Sequence, residues 1–291
     1  MSVRGRATAA FLRLPASAQQ TALHALGKFA PWEAGFDHRA PAVGPQLLTG
    51  PPDFVGVGVQ KAGTTWWYSL ISQHPDVYHH DGFHKERHFF GRFCAAEFSE
   101  DDAREYQRWF PRPPGHLTGE WTPDYLHQYW APPMLSSSAP SAKLLVMLRD
   151  PVERFRSGLD HHRGRGETLT PLLVGDAFAR GLYGEQLDRL ESVFPREQVL
   201  VLQYEACAKE PSRFLAKTFQ FLGLDDSFVP PGAGESVNGT KVPPLRLAEQ
   251  ARHQLTDLYR DDLHRLAAAR PELDLDRWPS FAAGVSLHRR R

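Results

Sequence analysis

The sequence is poor in cysteine, in long apolar runs and in any surplus of one charge. Only Cys94 and Cys207 occur in 291 residues, too few for a disulfide framework and without the spacing of a metal site. A reducing, cytoplasmic setting is the expectation. No stretch approaches the roughly 20 consecutive apolar residues that cross a bilayer, so stable membrane insertion is not expected. Near the start, Arg4, Arg6 and Arg13 flank only the short run from Thr8 to Phe11, which Arg13 interrupts before it could act as a secretory core. A weak amphipathic helix over about Ala16 to Lys28 accounts for that segment. Basic and acidic side chains balance at 34 each, which leaves no global field for nucleic acid or an anionic membrane. Any selectivity for an anion must be local.

A chain of this length buries about three quarters of its unfolded surface. That suits one main α/β domain over residues 51–291, preceded by a helical and irregular extension over residues 1–50. The extension carries Pro31, Pro41 and Pro45 and no recognisable chemistry, and is expected to pack over the sheet or form a dimer contact. The oligomeric state is not legible.

What is present centres on Phe54 to Trp67. Phe54-Val55-Gly56-Val57-Gly58 is uncharged, as a buried parallel strand should be. Trp66, Trp67, Leu70 and Ile71 then recur at helical spacing until His74-Pro75. A strand, a glycine-bearing turn and a helix direct backbone N–H groups and a helix dipole at one spot, where an anion binds. Gly58 to Thr65 reads G-x-x-x-x-G-T-T, a phosphate loop in which Thr64 replaces the usual helix lysine. Lys61 lies within the loop instead, so its ammonium approaches the anion from there.

Further along, Lys85-Glu86-Arg87-His88-Phe89-Phe90 places Glu86 and His88 two apart, on one side of an extended segment. Two aromatics follow to anchor it. Gly119-Glu120-Trp121-Thr122-Pro123-Asp124-Tyr125 is a second informative run, although Trp121, Tyr125, Tyr129 and Trp130 read first as packing aromatics. Val77-Tyr78 reads as a short strand, and Pro132 to Pro140 as a loop. Leu144 to Leu148 is a buried strand ending at Arg149, with Asp150 as N-cap and Pro151 as first residue of a helix running toward His162. Arg149 therefore stands at a carboxyl strand edge, where open α/β sheets bind ligands. Ser157 lies eight residues on, and the pair offers a charged fork and a hydroxyl to one phosphate. His161 to Arg165 reads as a solvated basic loop. A helix over about Gly181 to Phe194, a strand over Val199 to Leu202 ending in Gln203-Tyr204-Glu205, a helix from Pro211 to Leu222 and a last helix over about Pro244 to Ala268 complete the chain. The tail, Arg289 to Arg291, reads as disordered.

These motifs resemble those of sulfotransferases that use 3′-phosphoadenosine 5′-phosphosulfate (PAPS). Gln-Lys-Ala-Gly-Thr-Thr looks like the family's 5′-phosphosulfate loop, and Leu-Arg-Asp-Pro-x-x-Arg-x-x-Ser like its 3′-phosphate motif. Lys-Glu-x-His-Phe-Phe and Glu-x-Thr-Pro-x-Tyr look like the heparan-type branch. The resemblance implies a three-layer P-loop-like fold with a central, mostly parallel sheet flanked by helices. It implies a PAPS-dependent enzyme that releases adenosine 3′,5′-bisphosphate (PAP) and needs no metal. Ala62, Gly63, Thr64, Thr65 and Trp66 would hold the 5′-phosphate, and Lys61 would also stabilise the leaving oxygen. Arg149 and Ser157 would select the 3′-phosphate, and Tyr204, matching the family's Tyr-Glu after the corresponding strand, would belong to the cofactor site in a structural role. Glu86 would be the general base, with His88 as the alternate. Gly239 and Lys241, in the late loop Val237 to Lys241, would close over the nucleotide, though the family's cysteine-flanked version of that loop is missing. The acceptor would be a small molecule, lipid or carbohydrate bearing a hydroxyl or amine. Two rivals stand beside this reading: a P-loop nucleotide kinase, and a nucleotide-binding scaffold without turnover.

Overall fold

Four strands form the centre of the computed structural model, which describes residues 42–80, 84–234 and 242–282 with isolated positions 15, 18, 21, 39 and 40. They are β1 (Phe54–Gly58), β2 (Gly119–Trp121), β3 (Lys143–Leu148) and β4 (Val199–Gln203), in the order β2-β1-β3-β4. All the pairings are parallel, with Phe54 opposite Gly119 and Lys143, and Leu144 opposite Val199. β1 and β4 are buried at every position, and β3 at all but its first. Strands covered on both faces read as continuous apolar runs, which is why these three stood out. The three-residue β2 did not: its buried Glu120 disguised it as a polar segment.

The helices are α1 (Thr64–Ile71), α2 (Glu100–Gln107), α3 (Ala131–Ser138), α4 (Pro151–Gly164), α5 (Pro171–Ala179), α6 (Tyr183–Glu191), α7 (Tyr204–Lys209), α8 (Pro211–Leu222) and α9 (Glu249–Ala269). Several differ from the sequence reading for identifiable reasons. The Pro132 to Pro140 stretch is mostly helix α3, because Pro132 and Pro133 occupy its first turn, where no intrahelical N–H is needed. Val77 makes only an isolated bridge to Leu117. The helix after Arg149 extends through His161 to Gly164, absorbing the expected basic loop. Tyr204 opens helix α7 directly after β4. The last helix begins at Glu249, because Asp160 accepts the Leu245 N–H at 2.9 Å and Arg163 donates to the Pro243 carbonyl at 3.1 Å. Those bonds hold residues 243–245 against α4. The expected N-terminal helix falls outside the described residues apart from isolated positions, as does the arginine tail.

Close approach fixes the middle of β1. A Cβ on Gly56 would stand 2.0 Å from the Trp121 ring, which is fully buried and whose Nε1 donates to the Gly58 carbonyl at 3.1 Å. Gly56→Ala is expected to destabilise the fold by about 1–3 kcal/mol through overpacking, read as a lower denaturant midpoint at unchanged slope. An unchanged midpoint would mean that Trp121 repacks freely.

The strand order positions the site. From β1 the chain moves outward to β2; from β3 it moves the opposite way to β4. The connections diverge between β1 and β3, and the crevice at their carboxyl ends is where such sheets bind ligands.

Candidate active site

Two loops leave the sheet at that crevice. The first, residues 59–63, needs left-handed backbone at Lys61 (φ 70°) and Gly63 (φ 83°). Glycine is required at the second for space as well, since a Cβ there would meet the Tyr204 ring at 2.7 Å. Gly63 is the N-cap of α1, and no side chain caps that helix. Its first-turn N–H groups lie outside the helical ladder and, with the dipole, form an anion cradle.

The second loop is Arg149-Asp150. Asp150 caps α4 through bonds from the N–H groups of Val152 (2.9 Å) and Glu153 (3.2 Å). Its own N–H donates to Glu205 at 2.9 Å, and its other oxygen accepts the Ser280 N–H at 2.8 Å. The Trp278 indole donates to Glu205 at 3.0 Å. A turn closed from both sides holds the Arg149 backbone, whose carbonyl accepts the Tyr183 hydroxyl at 2.8 Å. The guanidinium donates to the Lys61 carbonyl at 3.0 Å and lies 5.0 Å from the centre of the Tyr204 ring. The two loops are thereby joined.

Between them is a cleft of about 270 Å³ whose lining includes Lys61, Gly63, Thr64, Thr65, Trp66, Arg149, Ser157 and Tyr204. Ser157 is buried on α4, two turns in from Arg149. Trp66 is buried, and its Nε1 has no hydrogen-bond partner among the described residues. Burial first, then the Arg149 guanidinium, lower the Lys61 pKa from the ordinary lysine range, against the pull of Asp160 and Glu86. Ala62 is fully buried beneath the loop. Gly239 and Lys241 lie outside the described residues. A cationic cradle with an uncapped helix terminus and an unpaired indole N–H fits a phosphorylated nucleotide bearing an aromatic base.

Glu86 forms the opposite lip of the same cleft. Its carboxylate meets the Lys85 ammonium at 2.9 Å and the His88 Nε2 at 3.1 Å. Burial raises its pKa, but the bonds from His88 and Lys85 outweigh this and bring it to about 2. The same bond to Glu86 raises the His88 pKa, opposed by burial and helped by Asp124, 3.8 Å from Nδ1. Asp124 is paired in turn with Arg180.

The buried Glu120 builds this lip. It accepts the Arg87 N–H at 3.0 Å and the hydroxyls of Tyr106 (2.7 Å), Tyr125 (3.2 Å) and Thr122. Thr122 accepts the N–H groups of Arg87 (3.0 Å) and His88 (3.3 Å), and the Tyr125 oxygen accepts that of Phe89 at 2.9 Å. Three consecutive N–H groups are thus held by side chains of the Glu120 to Tyr125 run. Trp121 and Tyr125 are core residues and Tyr129 is exposed.

Four residues near the cleft carry no assigned role in the sequence reading. Gln60, Asp124 and His161 line it, and Lys85 reaches the α1 hydroxyls of Thr64 (3.4 Å) and Thr65 (3.2 Å). His161 is one helical turn beyond Ser157 on α4, so the helix read toward His162 already places the two on one face, although the sequence reading assigns His161 to a solvated basic loop. Burial and the nearby Lys61 lower its pKa.

The chain is 32% identical over 206 residues to heparan sulfate glucosamine 3-O-sulfotransferase 6 of Homo sapiens, covering 64% of this chain and 58% of that protein. It is 34% identical over 106 residues to the membrane-associated sulfotransferase kil1 of Dictyostelium discoideum, covering 36% and 22%. The chain thus spans little more than half of the human relative. The crystal structure of a sulfotransferase from Alicyclobacillus acidocaldarius superposes with a TM-score of 0.62 at 29% identity, covering 78% of this chain and 98% of that one. The sequence profile of the sulfotransferase domain matches residues 51–237, and the chain belongs to the sulfotransferase domain family.

Proposed function

We propose that this sulfotransferase takes its sulfuryl group from PAPS and moves it to a hydroxyl or amine of a carbohydrate, small-molecule or lipid acceptor. The observation that carries this reading is the convergence of Lys61, Arg149, Ser157 and Glu86 on one cleft over the α1 N-terminus. When bound, PAPS supplies an activated sulfuryl group whose departure leaves an electron pair on a 5′-phosphate oxygen. The first-turn N–H groups of α1 and the hydroxyls of Thr64 and Thr65 hold the 5′-phosphate, and Lys61 offsets the charge that grows on the leaving oxygen. Arg149 and Ser157 hold the 3′-phosphate. Trp66 and Tyr204, in edge contact at 6.2 Å, wall the base. Glu86 takes the acceptor's proton, and His88 and Lys85 keep its carboxylate ionised and oriented. The name of the human relative favours a carbohydrate hydroxyl among the acceptors. Cys94 and Cys207 are both free thiols, which suits a cytoplasmic setting. No helix among the described residues is long and apolar enough to cross a membrane.

Calorimetric titration with PAP, against ATP and ADP with magnesium, tests the donor. PAP is expected to bind in preference, and Arg149→Ala to weaken it about 10- to 100-fold, the range for a charge-assisted hydrogen bond, with the melting temperature reporting that the fold survives. Preference for ATP with magnesium overturns the reading.

A further inference from the structure

Lys85 touches both halves of the site. Its side chain is only 15% exposed, and its Nζ lies 2.9 Å from Glu86, 3.2 Å from the Thr65 hydroxyl and 3.4 Å from that of Thr64. The two hydroxyls stand on the first turn of α1, beside the anion cradle, while Glu86 stands on the acceptor lip. The backbone is fixed as well: the Lys85 carbonyl accepts the Trp121 N–H at 3.0 Å, and two residues on, the Arg87 N–H is held by Glu120 and Thr122.

We infer that Lys85 is a positioning residue that couples the two halves, because the anion at the α1 N-terminus and the Glu86 carboxylate compete for its one ammonium group. The inference rests on the donor reading above. With the cradle empty of anion, Lys85 and His88 both bind Glu86 and make it a weak base. A 5′-phosphate beside Thr64 and Thr65 draws the ammonium toward itself, and Glu86 keeps His88 alone. The carboxylate becomes more basic when the donor is in place, so base strength follows donor occupancy. Linkage makes the effect reciprocal: whatever removes the carboxylate must tighten the anion. The other charges facing Glu86 are His88 on its own segment, Lys61 from the loop after β1, and Asp124, paired with Arg180, behind His88. None of these is bonded to both the carboxylate and the α1 hydroxyls.

A double-mutant cycle read by PAP titration tests the coupling without turnover. Glu86→Gln is expected to bind PAP about two- to fivefold more tightly than the wild type, the scale of a partly exposed ion pair. Lys85→Gln is expected to bind it more weakly, and the gain from Glu86→Gln to vanish in the Lys85→Gln background. Lys85→Arg, which keeps the charge, restores the gain. If the gain persists without Lys85, it is the general field of Glu86, and the coupling is overturned. No gain in Glu86→Gln alone overturns it too, whatever the fate of the Lys85 variants. Both outcomes leave the donor reading intact so long as the wild type prefers PAP to ATP. A wild type that binds no PAP overturns both.

Discussion

Glu86→Gln is expected to lower kcat by about 10²–10⁴-fold, the usual contribution of general-base catalysis, with PAP binding undiminished. The substitution keeps the shape and replaces the carboxylate proposed to take the proton by an amide, whose oxygen is far less basic. The Glu120 frame that holds the lip bonds to the backbone N–H groups of Arg87 and His88, so it survives the change and the loss falls on chemistry rather than folding. Steady-state measurement of PAP release, with an acceptor identified by screening, checks it. A fall in kcat below tenfold would transfer the role to His88. The pH profile separates the two independently. Glu86 has a pKa of about 2, below its ordinary value, and stays ionised as pH falls through the weakly acid range. His88 is shifted the other way and is neutral only above the ordinary imidazole value of about 6.5. With Glu86 as base, kcat/KM is therefore flat down to about pH 5; with His88 as base, it climbs through neutrality.

Lys61→Ala is the second large effect, an expected loss of about 10²–10³-fold in kcat, comparable to removing one oxyanion donor. The ammonium is partly desolvated beside Arg149, and a charge in such a setting stabilises growing negative charge more than it would in water. Arg149 differs under the proposed reading, in which it would hold an end of the donor that does not change charge in the reaction. Lys61→Ala should therefore depress kcat far more than donor affinity, and Arg149→Ala the reverse. Equal effects of both variants on PAP affinity, with kcat preserved in Lys61→Ala, would show that Lys61 merely binds. The left-handed backbone at Lys61 makes Lys61→Asn a useful second variant, because asparagine tolerates that conformation.

The parts legible in the sequence were those whose chemistry is local. β1, its loop and α1 form one contiguous run, and Asp150-Pro151 declares a helix start by itself, so Arg149 and Ser157 could be placed from spacing. What escaped depends on contacts distant in the chain. Lys85 owes its place to Thr64 and Thr65, twenty residues away, and Glu120 is a strand residue only because Tyr106, Thr122 and Tyr125 satisfy its buried carboxylate. The proline pair at Pro132 signalled a loop but suits a first helical turn equally, and only packing of the buried Leu135 decides between them. Tyr204 was placed at a strand end; its role as the wall against Gly63 and Arg149 required knowing that β4 stops where β3 stops.

The clamp on Asp150 sets an order of events during synthesis. Ser280 reaches it from 130 positions downstream, and Trp278 fastens Glu205 on the same turn. On the ribosome, the sheet and both site loops are translated long before these closing residues emerge. Asp150 caps α4 through its near neighbours Val152 and Glu153, so the arginine turn can begin early, but a nascent chain stopped short of Trp278 lacks the two bonds that close that turn from the far side.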